Sequence, residues 1–328
     1  MIKFTNKYGI SDAIVNAVKI DNHVTIGDIS VTQLIDSPQI RILKKTHDIE
    51  EDVSDRIWML FGTAVHYVVE MGEITSREAR QLLEAAEVLV KYEQTKAAEW
   101  MYEFINKTFP EHKNKDILTE VTLSHTINGM MFSGTFDRFT ISTGLLDDYK
   151  TTGVYAYMNA EARKKWDAQL NVYAFLLREN GYEVNAAQIT AIFKDFSPSK
   201  LFSSGYPKKP IATFPVKLYE HKLIKEFLTR RVKLHKDAQM GNVAECTSKE
   251  MWQTSDTFAV TTPTRTRAIK VFPTEALAKA FMLGDGAKYG DKAYVEKRPG
   301  ERKRCDQYCS VSKVCPQNIK RLELENKK

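Results

Sequence analysis

Two aspartates and a lysine with the chemistry of a hydrolytic site lie near the middle of the chain, in the segments GTFDR (residues 134–138) and DYK (residues 148–150). Both segments are rich in β-forming residues, and a short turn separates them. Side chains alternate along a strand, and adjacent antiparallel strands lie about 4.8 Å apart. We therefore expect Asp137, Asp148 and Lys150 to converge at one edge of a sheet.

This combination suits hydrolysis of a phosphodiester bond. Carboxylates are hard oxygen ligands for Mg²⁺ or Mn²⁺. Such a cation polarises a phosphate and lowers the pKa of a bound water. Lys150 would orient that water or stabilise the developing charge. Glu120, early in the preceding strand, is a candidate for a further metal ligand, with an ordinary exposed strand residue as the alternative. For the aspartates and the lysine the alternative is a solvated surface turn, against which the hairpin context argues.

Regular strands and helices are predicted around these residues. Three short segments separated by turn signals indicate an antiparallel meander. A helix precedes the meander, a second helix follows it, and another strand comes next, which indicates an α+β fold with a central mixed sheet flanked by helices. The predicted strands are residues 117–126, 130–142, 145–150, 187–196, 211–218 and 268–272, and the predicted helices are residues 57–73, 76–107, 156–180, 220–239 and 274–282.

The composition is that of an ordinary globular protein with a modest positive charge. The chain has 328 residues, a hydrophobic fraction of 43% and a formal net charge of +6. No apolar run approaches the roughly 20 residues that span a bilayer, and the N-terminus lacks the pattern of a secretory signal. We expect a soluble, cytoplasmic protein. The positive charge, concentrated in residues 222–236 and 297–304, is compatible with a polyanionic partner, although a solvated surface explains either run equally well.

Four motifs, taken in order, resemble those of RecB-type nucleases in the PD-(D/E)xK superfamily. The resemblance extends over about residues 56 to 196. It implies a restriction-endonuclease-like core that binds DNA. It further implies that His66, Asp137 and Asp148 are metal ligands, that Lys150 is the catalytic lysine, and that Gln169 and Tyr173 lie along the DNA path. The four motifs are GTAVH (residues 62–66), GTFDR (134–138), DYKT (148–151) and QLNVY (169–173).

The four cysteines suggest a second metal site. Cys246 stands alone, whereas Cys305, Cys309 and Cys315 lie close together and Pro316 follows the last of them. Four thiolates suit a [4Fe-4S] cluster or a structural Zn²⁺, and four free buried thiols are the alternative. The layout resembles the iron–sulfur staple of the RecB-type subgroup that includes the AddB nuclease domain and the CRISPR adaptation exonucleases. It departs from that subgroup because Cys246 follows the nuclease motifs and the first gap of the cluster is three residues.

Together these patterns predict three parts and one activity. The parts are an N-terminal segment packing on the core (residues 1–55), a nuclease core (56–240) and a small C-terminal lobe that carries the metal cluster (241–328). The predicted activity is metal-dependent DNA exonuclease, in recombination, repair or phage DNA processing, within a bacterium or an infected host cell. A structure-specific endonuclease and a non-catalytic nucleic-acid-binding module are the alternatives. The motifs do not distinguish single-stranded from duplex substrates.

Overall fold

The computed structural model describes residues 2–20, 25–74, 77–110 and 115–325, and the chain divides into two compact units. The larger unit comprises Phe4–Ile35 and Glu51–Asp237. The smaller unit comprises Met1–Lys3, Asp36–Glu50 and Ala238–Lys328. All residues of the nuclease-like motifs belong to the larger unit, and all four cysteines belong to the smaller one.

The regular elements are numbered in chain order. The strands are β1 (Ile2–Thr5), β2 (Ile29–Ser30), β3 (Ile49–Asp52), β4 (Ile117–Ile127), β5 (Met130–Thr140), β6 (Leu145–Thr152), β7 (Ala186–Phe193), β8 (Ile211–Val216), β9 (Thr257–Thr261), β10 (Lys270–Phe272) and β11 (Tyr294–Arg298). The helices are α1 (Asp12–Lys19), α2 (Val31–Leu34), α3 (Pro38–Thr46), α4 (Ile57–Gly72), α5 (Arg77–Lys91), α6 (Thr95–Thr108), α7 (Tyr155–Met158), α8 (Ala160–Glu179), α9 (His221–Gln239), α10 (Glu275–Leu283) and α11 (Pro316–Glu325). Among the described residues, no helix has both the length and the apolar character required to cross a membrane.

A mixed sheet forms the centre of the larger unit, with strand order β2-β5-β6-β7-β8 and β4 paired to β5. Strands β4, β5 and β6 form the predicted antiparallel meander. Strand β7 then pairs with β6 in parallel, so the chain must cross over between them, and α8 makes this crossover. The predicted α+β fold with a central mixed sheet flanked by helices is confirmed.

The main core lies between this sheet and α8. Phe132 and Phe136 on β5 are fully buried, as are Leu170, Phe175 and Leu177 on α8. Each fully buried large apolar side chain contributes about 1.5–3 kcal/mol relative to an exposed one. Since α8 is held on the same strands that carry the two aspartates, its packing also fixes the position of the candidate site.

Gly134 permits the close approach of α8 to β5. It lies between Phe132 and Phe136 on the face of β5 that the helix covers. A Cβ atom at this position would be 2.6 Å from Tyr173 Cε1 and 2.8 Å from Val31 Cγ2, which is closer than real Cβ contacts. Gly134, the first residue of the second motif, is therefore required for packing and has no side chain that could take part in chemistry.

Replacing Gly134 by alanine is expected to destabilise the protein by about 1–3 kcal/mol, because Tyr173 and Val31 must move. Unfolding in urea measures the change. Gly72→Ala is the matched control, since nothing lies within 4 Å of a Cβ atom there and alanine favours a helix. Equal stability of the Gly134 variant and the wild type would show that α8 does not need this close approach.

Two predicted helices proved to be interrupted. The single helix predicted over residues 76–107 is wrong: α5 and α6 are separate, and Glu93 between them has a positive φ of 58°. Residue 76 itself lies outside the described residues. The helix predicted from residue 156 is divided at Asn159, whose side chain accepts a hydrogen bond from Glu161 N and so caps α8.

A three-stranded antiparallel sheet of order β10-β9-β11 lies in the smaller unit. Strand β10 and helix α10 agree with the segments predicted from the sequence, and Thr274 caps α10 through a hydrogen bond from Leu277 N. Strands β9 and β11 were not predicted. Arg304 joins two parts of this unit, because its guanidinium donates to both carboxylate oxygens of Asp36, at 2.8 and 2.7 Å.

Candidate active site

The pairing of β5 with β6 ends at Arg138 and Asp147, one residue short of the two motif aspartates. Beyond that point a side chain replaces the backbone ladder, because Asp137 Oδ2 accepts a hydrogen bond from Tyr149 N at 2.6 Å. Arg138 and Asp147 occupy the opposite face of the sheet, where they lie 3.6 Å apart. The Arg138–Asp147 ion pair is therefore structural, and Asp137 and Asp148 lie on the other face of the sheet.

His66 on α4 meets two carboxylates at this face. Its Nε2 lies 2.9 Å from the carbonyl oxygen of Tyr149, and a carbonyl can only accept, so Nε2 carries the proton. Nδ1 then faces Asp137 Oδ1 at 3.6 Å and Glu120 Oε1 at 3.7 Å. The ligand atoms of His66, Glu120 and Asp137 all lie within 4.8 Å of one another.

Glu120 reaches this group through an unusual backbone conformation. The register of β4 with β5 places it opposite Asp137, since its neighbours Thr119 and Val121 pair with Arg138 and Phe136. Its φ is +50°, a region that a non-glycine residue adopts only at a cost. Strain of this kind collects at functional sites, which favours the metal-ligand hypothesis for Glu120 over that of an ordinary strand residue.

Asp148 is the most deeply buried carboxylate of the site, with 1% of its side chain exposed. Its Oδ2 contacts the ammonium of Lys150, two residues along the same face of β6. Its Oδ1 is buried and has no hydrogen-bond partner among the residues that the structure describes. An ionised carboxylate with an unsatisfied buried oxygen is costly, so a cation beside it would be stabilising.

The pKa values of two aspartates and the histidine are raised in this crowded site. Burial raises the pKa of Asp137 to about 7, and the nearby charge of Asp148 adds to the rise. Burial also raises the pKa of Asp148, against the opposing effect of Lys150. Contact with Glu120 raises the pKa of His66. Without a bound cation, the site therefore retains protons that free side chains would release at neutral pH.

The residues present fit a divalent cation. Carboxylate oxygens from Asp137 and Glu120 and a histidine nitrogen converge, and Asp148 Oδ1 lacks a partner among the described residues. Oxygen-rich sites favour Mg²⁺ or Mn²⁺. The His66 Nδ1 lone pair and the carboxylate oxygens are all hydrogen-bond acceptors. Acceptors face each other at this distance only where a proton or a metal ion lies between them. The Tyr149 carbonyl fixes that tautomer, as partners of metal-ligating histidines commonly do.

Gln169 and Tyr173 lie close to this face on α8. Gln169 Nε2 donates to the Tyr173 hydroxyl at 2.7 Å. Only 5% of Tyr173 is exposed, and its ring packs on Gly134. Burial, and then the charges of Asp148 and Asp137, raise the pKa of Tyr173. Tyr173 is thus a neutral hydroxyl beside the carboxylates, and Gln169 is the more accessible member of the pair.

Some contacts of the site involve groups that sequence reasoning did not identify. The backbone of Tyr149 donates to Asp137 and accepts from His66. Glu73, at the end of α4, accepts a hydrogen bond from Arg138 Nε at 2.7 Å. Backbone groups leave no residue signal, so Tyr149 could not have been found. Glu73 could have been suspected only because it lies two turns after His66 on the same helix.

All four cysteines line one pocket of the smaller unit. None of them is in a disulfide. Burial raises the pKa of Cys246 to about 11 and also raises the pKa values of Cys305 and Cys309. Within the described part of the chain, no three of these sulfurs lie within 4.8 Å of one another. Zinc–sulfur bonds of about 2.3 Å would require a tighter group, so the arrangement is wider than a preformed zinc site.

The chain is similar to several known proteins. A sequence model of the family described as the PD-(D/E)XK nuclease superfamily matches residues 41–316. No curated protein matches the chain. Among solved structures, SSO0001 has 13% sequence identity and a TM-score of 0.39, over 73% of this chain and 89% of that one. A phage-related exonuclease from Haemophilus somnus 129PT has 15% identity and a TM-score of 0.28, over 53% and 92%. A candidate exonuclease from Eubacterium rectale has 16% identity and a TM-score of 0.29, over 45% and 55%.

The family match and the structural likenesses differ in weight. The matched range includes every residue of the candidate site and all four cysteines. The mixed sheet flanked by helices is consistent with the restriction-endonuclease-like fold of that superfamily. The solved structures share little sequence with the chain and their TM-scores are below 0.5, so they say nothing about its chemistry.

Proposed function

We propose that this chain, which belongs to the PD-(D/E)XK nuclease superfamily, is a metal-dependent DNA exonuclease of the RecB type. The observation that carries the proposal is the buried Asp148 carboxylate. It contacts Lys150 through one oxygen, and its other oxygen has no hydrogen-bond partner among the described residues. Its charge interacts with those of Asp137 and His66, which together with Glu120 form the group of converging ligand atoms. A solvated surface turn, the alternative for these residues, would not bury a charged group in this way.

We assign three roles to the residues of the site: metal binding, stabilisation of negative charge and contact with DNA. His66 Nδ1, Asp137 and Asp148 would hold Mg²⁺ or Mn²⁺, with Glu120 as a further ligand. When bound, the cation polarises the phosphate and lowers the pKa of a water molecule. Lys150 orients the attacking water and stabilises the negative charge that develops on the phosphate. Gln169, held against Tyr173, contacts the DNA backbone.

Exonuclease action is distinguished from its alternatives by the topology of the substrate. With Mn²⁺ or Mg²⁺, we expect end-labelled linear DNA to be degraded, covalently closed circular DNA to survive, and EDTA to abolish the reaction. Gel electrophoresis of the two substrates measures this. Cleavage of the closed circle would favour a structure-specific endonuclease. Binding without turnover under every metal condition would favour a non-catalytic nucleic-acid-binding module.

We further propose that Cys246, Cys305, Cys309 and Cys315 hold a [4Fe-4S] cluster, with structural Zn²⁺ as the alternative. The thiols line one pocket, yet they lie further apart than the ligands of a single ion. A four-iron cluster is larger than one ion and takes ligands at wider spacing. Its role would be structural, because it would join Cys246 to the segment of residues 305–315 within the smaller unit.

Anaerobically purified protein is therefore expected to be brown, with a broad absorbance band in the violet-blue and about four iron atoms per chain. Absorbance spectroscopy and metal analysis measure this. Cys315→Ser should lose the colour, because it removes one of the four ligands, whereas Asp148→Asn should keep it. Colourless protein that contains stoichiometric zinc would contradict the iron–sulfur assignment and leave the nuclease proposal intact.

The proposed activity fits several biological settings. We propose that the enzyme serves recombination, repair or the processing of phage DNA in a bacterial or infected cell, of which the phage setting rests on the resemblance alone. The division of the chain into an N-terminal segment (residues 1–55), a nuclease core (56–240) and a C-terminal metal-cluster lobe (241–328) stays a prediction, as does its cytoplasmic location. DNA is the partner that we propose for the site.

A further inference from the structure

Trp58, in the first turn of α4, presents a large aromatic surface to solvent. Its side chain is 58% exposed. The ammonium of Lys194 lies 3.7 Å from the centre of the indole ring, and Phe61 meets the ring edge-on at 6.3 Å. An exposed tryptophan with an attached cation combines the two features by which proteins hold single-stranded nucleic acid, a stacking face and a positive charge.

The position of this pair follows from the ends of two strands. Lys194 follows β7 directly, and its backbone N–H donates to the carbonyl oxygen of Thr152 at 2.9 Å. Thr152 ends β6, two residues beyond Lys150, which is about 7 Å along the strand. Lys194 therefore anchors the pair beside the strand that carries Asp148 and Lys150.

Helix α4 packs against the same strand. A Cβ atom at Gly62 would lie 3.3 Å from Thr151 Oγ1, so the helix passes close to this side chain of β6. Trp58 lies one turn before Gly62 on this helix, and His66 lies one turn after it. Along one helix, the exposed indole and the candidate metal ligand are thus about 12 Å apart.

The turn that follows β6 is held in place by a side chain. Asp195 Oδ1 accepts a hydrogen bond from Val154 N at 2.6 Å. Gly153 leaves room for the carboxylate, because a Cβ atom there would be 3.1 Å from Asp195 Oδ2. Asp195 fixes this turn and directly follows Lys194 in the chain. The Lys194 ammonium is therefore carried by an ordered segment.

We propose that Trp58 stacks on an unpaired base and that Lys194 contacts the neighbouring phosphate, so that the substrate of the site is single-stranded DNA. The inference rests on the proposed nuclease function and names its substrate class. A base within a duplex has both faces covered by its neighbours, whereas a base in a single strand offers a free face to the indole. The positive charge beside the ring matches the phosphate that each base carries with it.

Binding of oligothymidine and of a fully paired two-strand duplex without a loop, both in EDTA so that nothing is cleaved, tests the proposal. Fluorescence anisotropy gives the dissociation constants. Stacking on an aromatic side chain is worth about 1–3 kcal/mol per base, so Trp58→Ala should weaken single-strand binding by about fivefold to a hundredfold. Duplex binding should change by less than about twofold, and Trp58→Phe should retain most of the affinity. Trp100→Ala is the matched control, because Trp100 is 64% exposed on a different helix, where it stacks on Phe104.

The outcomes separate this inference from the nuclease proposal. Loss of affinity for the single strand alone, in Trp58→Ala and more weakly in Lys194→Ala, supports it. An unchanged single-strand affinity, or an equal loss for both substrates, overturns it. Cleavage by the wild-type protein in Mn²⁺ is measured on the same oligonucleotide: if the wild type cleaves and Trp58→Ala binds normally, only the stacking surface is wrong. If the wild type never cleaves but the selective loss is present, the stacking surface stands and the nuclease proposal fails.

Discussion

Asp148→Asn is expected to reduce DNA cleavage by more than about a thousandfold while leaving DNA affinity within a few-fold of wild type. The side chain is buried and contacts Lys150, so its loss disturbs both the proposed metal site and the lysine beside it. Groups that act as one catalytic unit lose most of their effect when any member is removed. Contacts between basic residues and phosphates carry most of the affinity, and these are unaffected. Initial rates on labelled DNA and anisotropy in EDTA measure the two quantities.

The adjacent residue provides a matched control. Asp147 is also a buried aspartate of β6, but it faces the other side of the sheet, where it contacts Gln188 and Arg138. Asp147→Asn should keep the cleavage rate within about tenfold of wild type, because the substitution retains the shape and loses only a structural ion pair. Normal cleavage by Asp148→Asn, or an equal loss in the Asp147 variant, would show that the chemistry is elsewhere.

The meander of β4, β5 and β6 could be predicted because its signals are local. Turn residues such as those at Asn128-Gly129 separate segments of β-forming residues, and each strand pairs with the next one along the chain. The fold class followed from the order of the elements. Strands β9 and β11 gave no comparable signal. They pair across more than 30 residues, and β11 has the sequence YVEKR, which reads as a charged surface segment.

The candidate site was predictable in its members but not in its geometry. Alternation along β6 places Asp148 and Lys150 on one face, and this needed only the sequence. The hydrogen bond from Tyr149 N to Asp137 and the positive φ of Glu120 depend on where the strand ladder ends. The position where the ladder ends is set by packing of the whole sheet, which no single sequence motif can predict. Gly134 shows the same limit, because the atoms that exclude a side chain there come from α2 and α8.

In metal-free protein, Asp137→Asn is expected to raise the free energy of unfolding at pH 8 by up to about 4 kcal/mol, and to change it little near pH 4. Burial raises the pKa of Asp137 from 3.8 to about 7. Between these values the folded protein keeps a proton that the unfolded chain has released. The wild type therefore loses stability as the pH rises from about 4 to 7. Asparagine is neutral throughout and its oxygen can still accept the hydrogen bond from Tyr149 N. Urea unfolding in EDTA across this pH range measures the difference.

Added Mn²⁺ should reverse the order of the two proteins at pH 8. A ligand that binds only the folded state stabilises it in proportion to the logarithm of its concentration over the dissociation constant. The wild type keeps the carboxylate that would hold the cation, whereas the asparagine variant has lost it. A buried aspartate with a purely structural role would show the gain at high pH in EDTA but no reversal with Mn²⁺. A stability difference that does not depend on pH would show that Asp137 is already ionised in the folded protein at no cost. The Asp137 carboxylate, which destabilises the metal-free protein at high pH, is thus one of the groups that we propose to bind the metal.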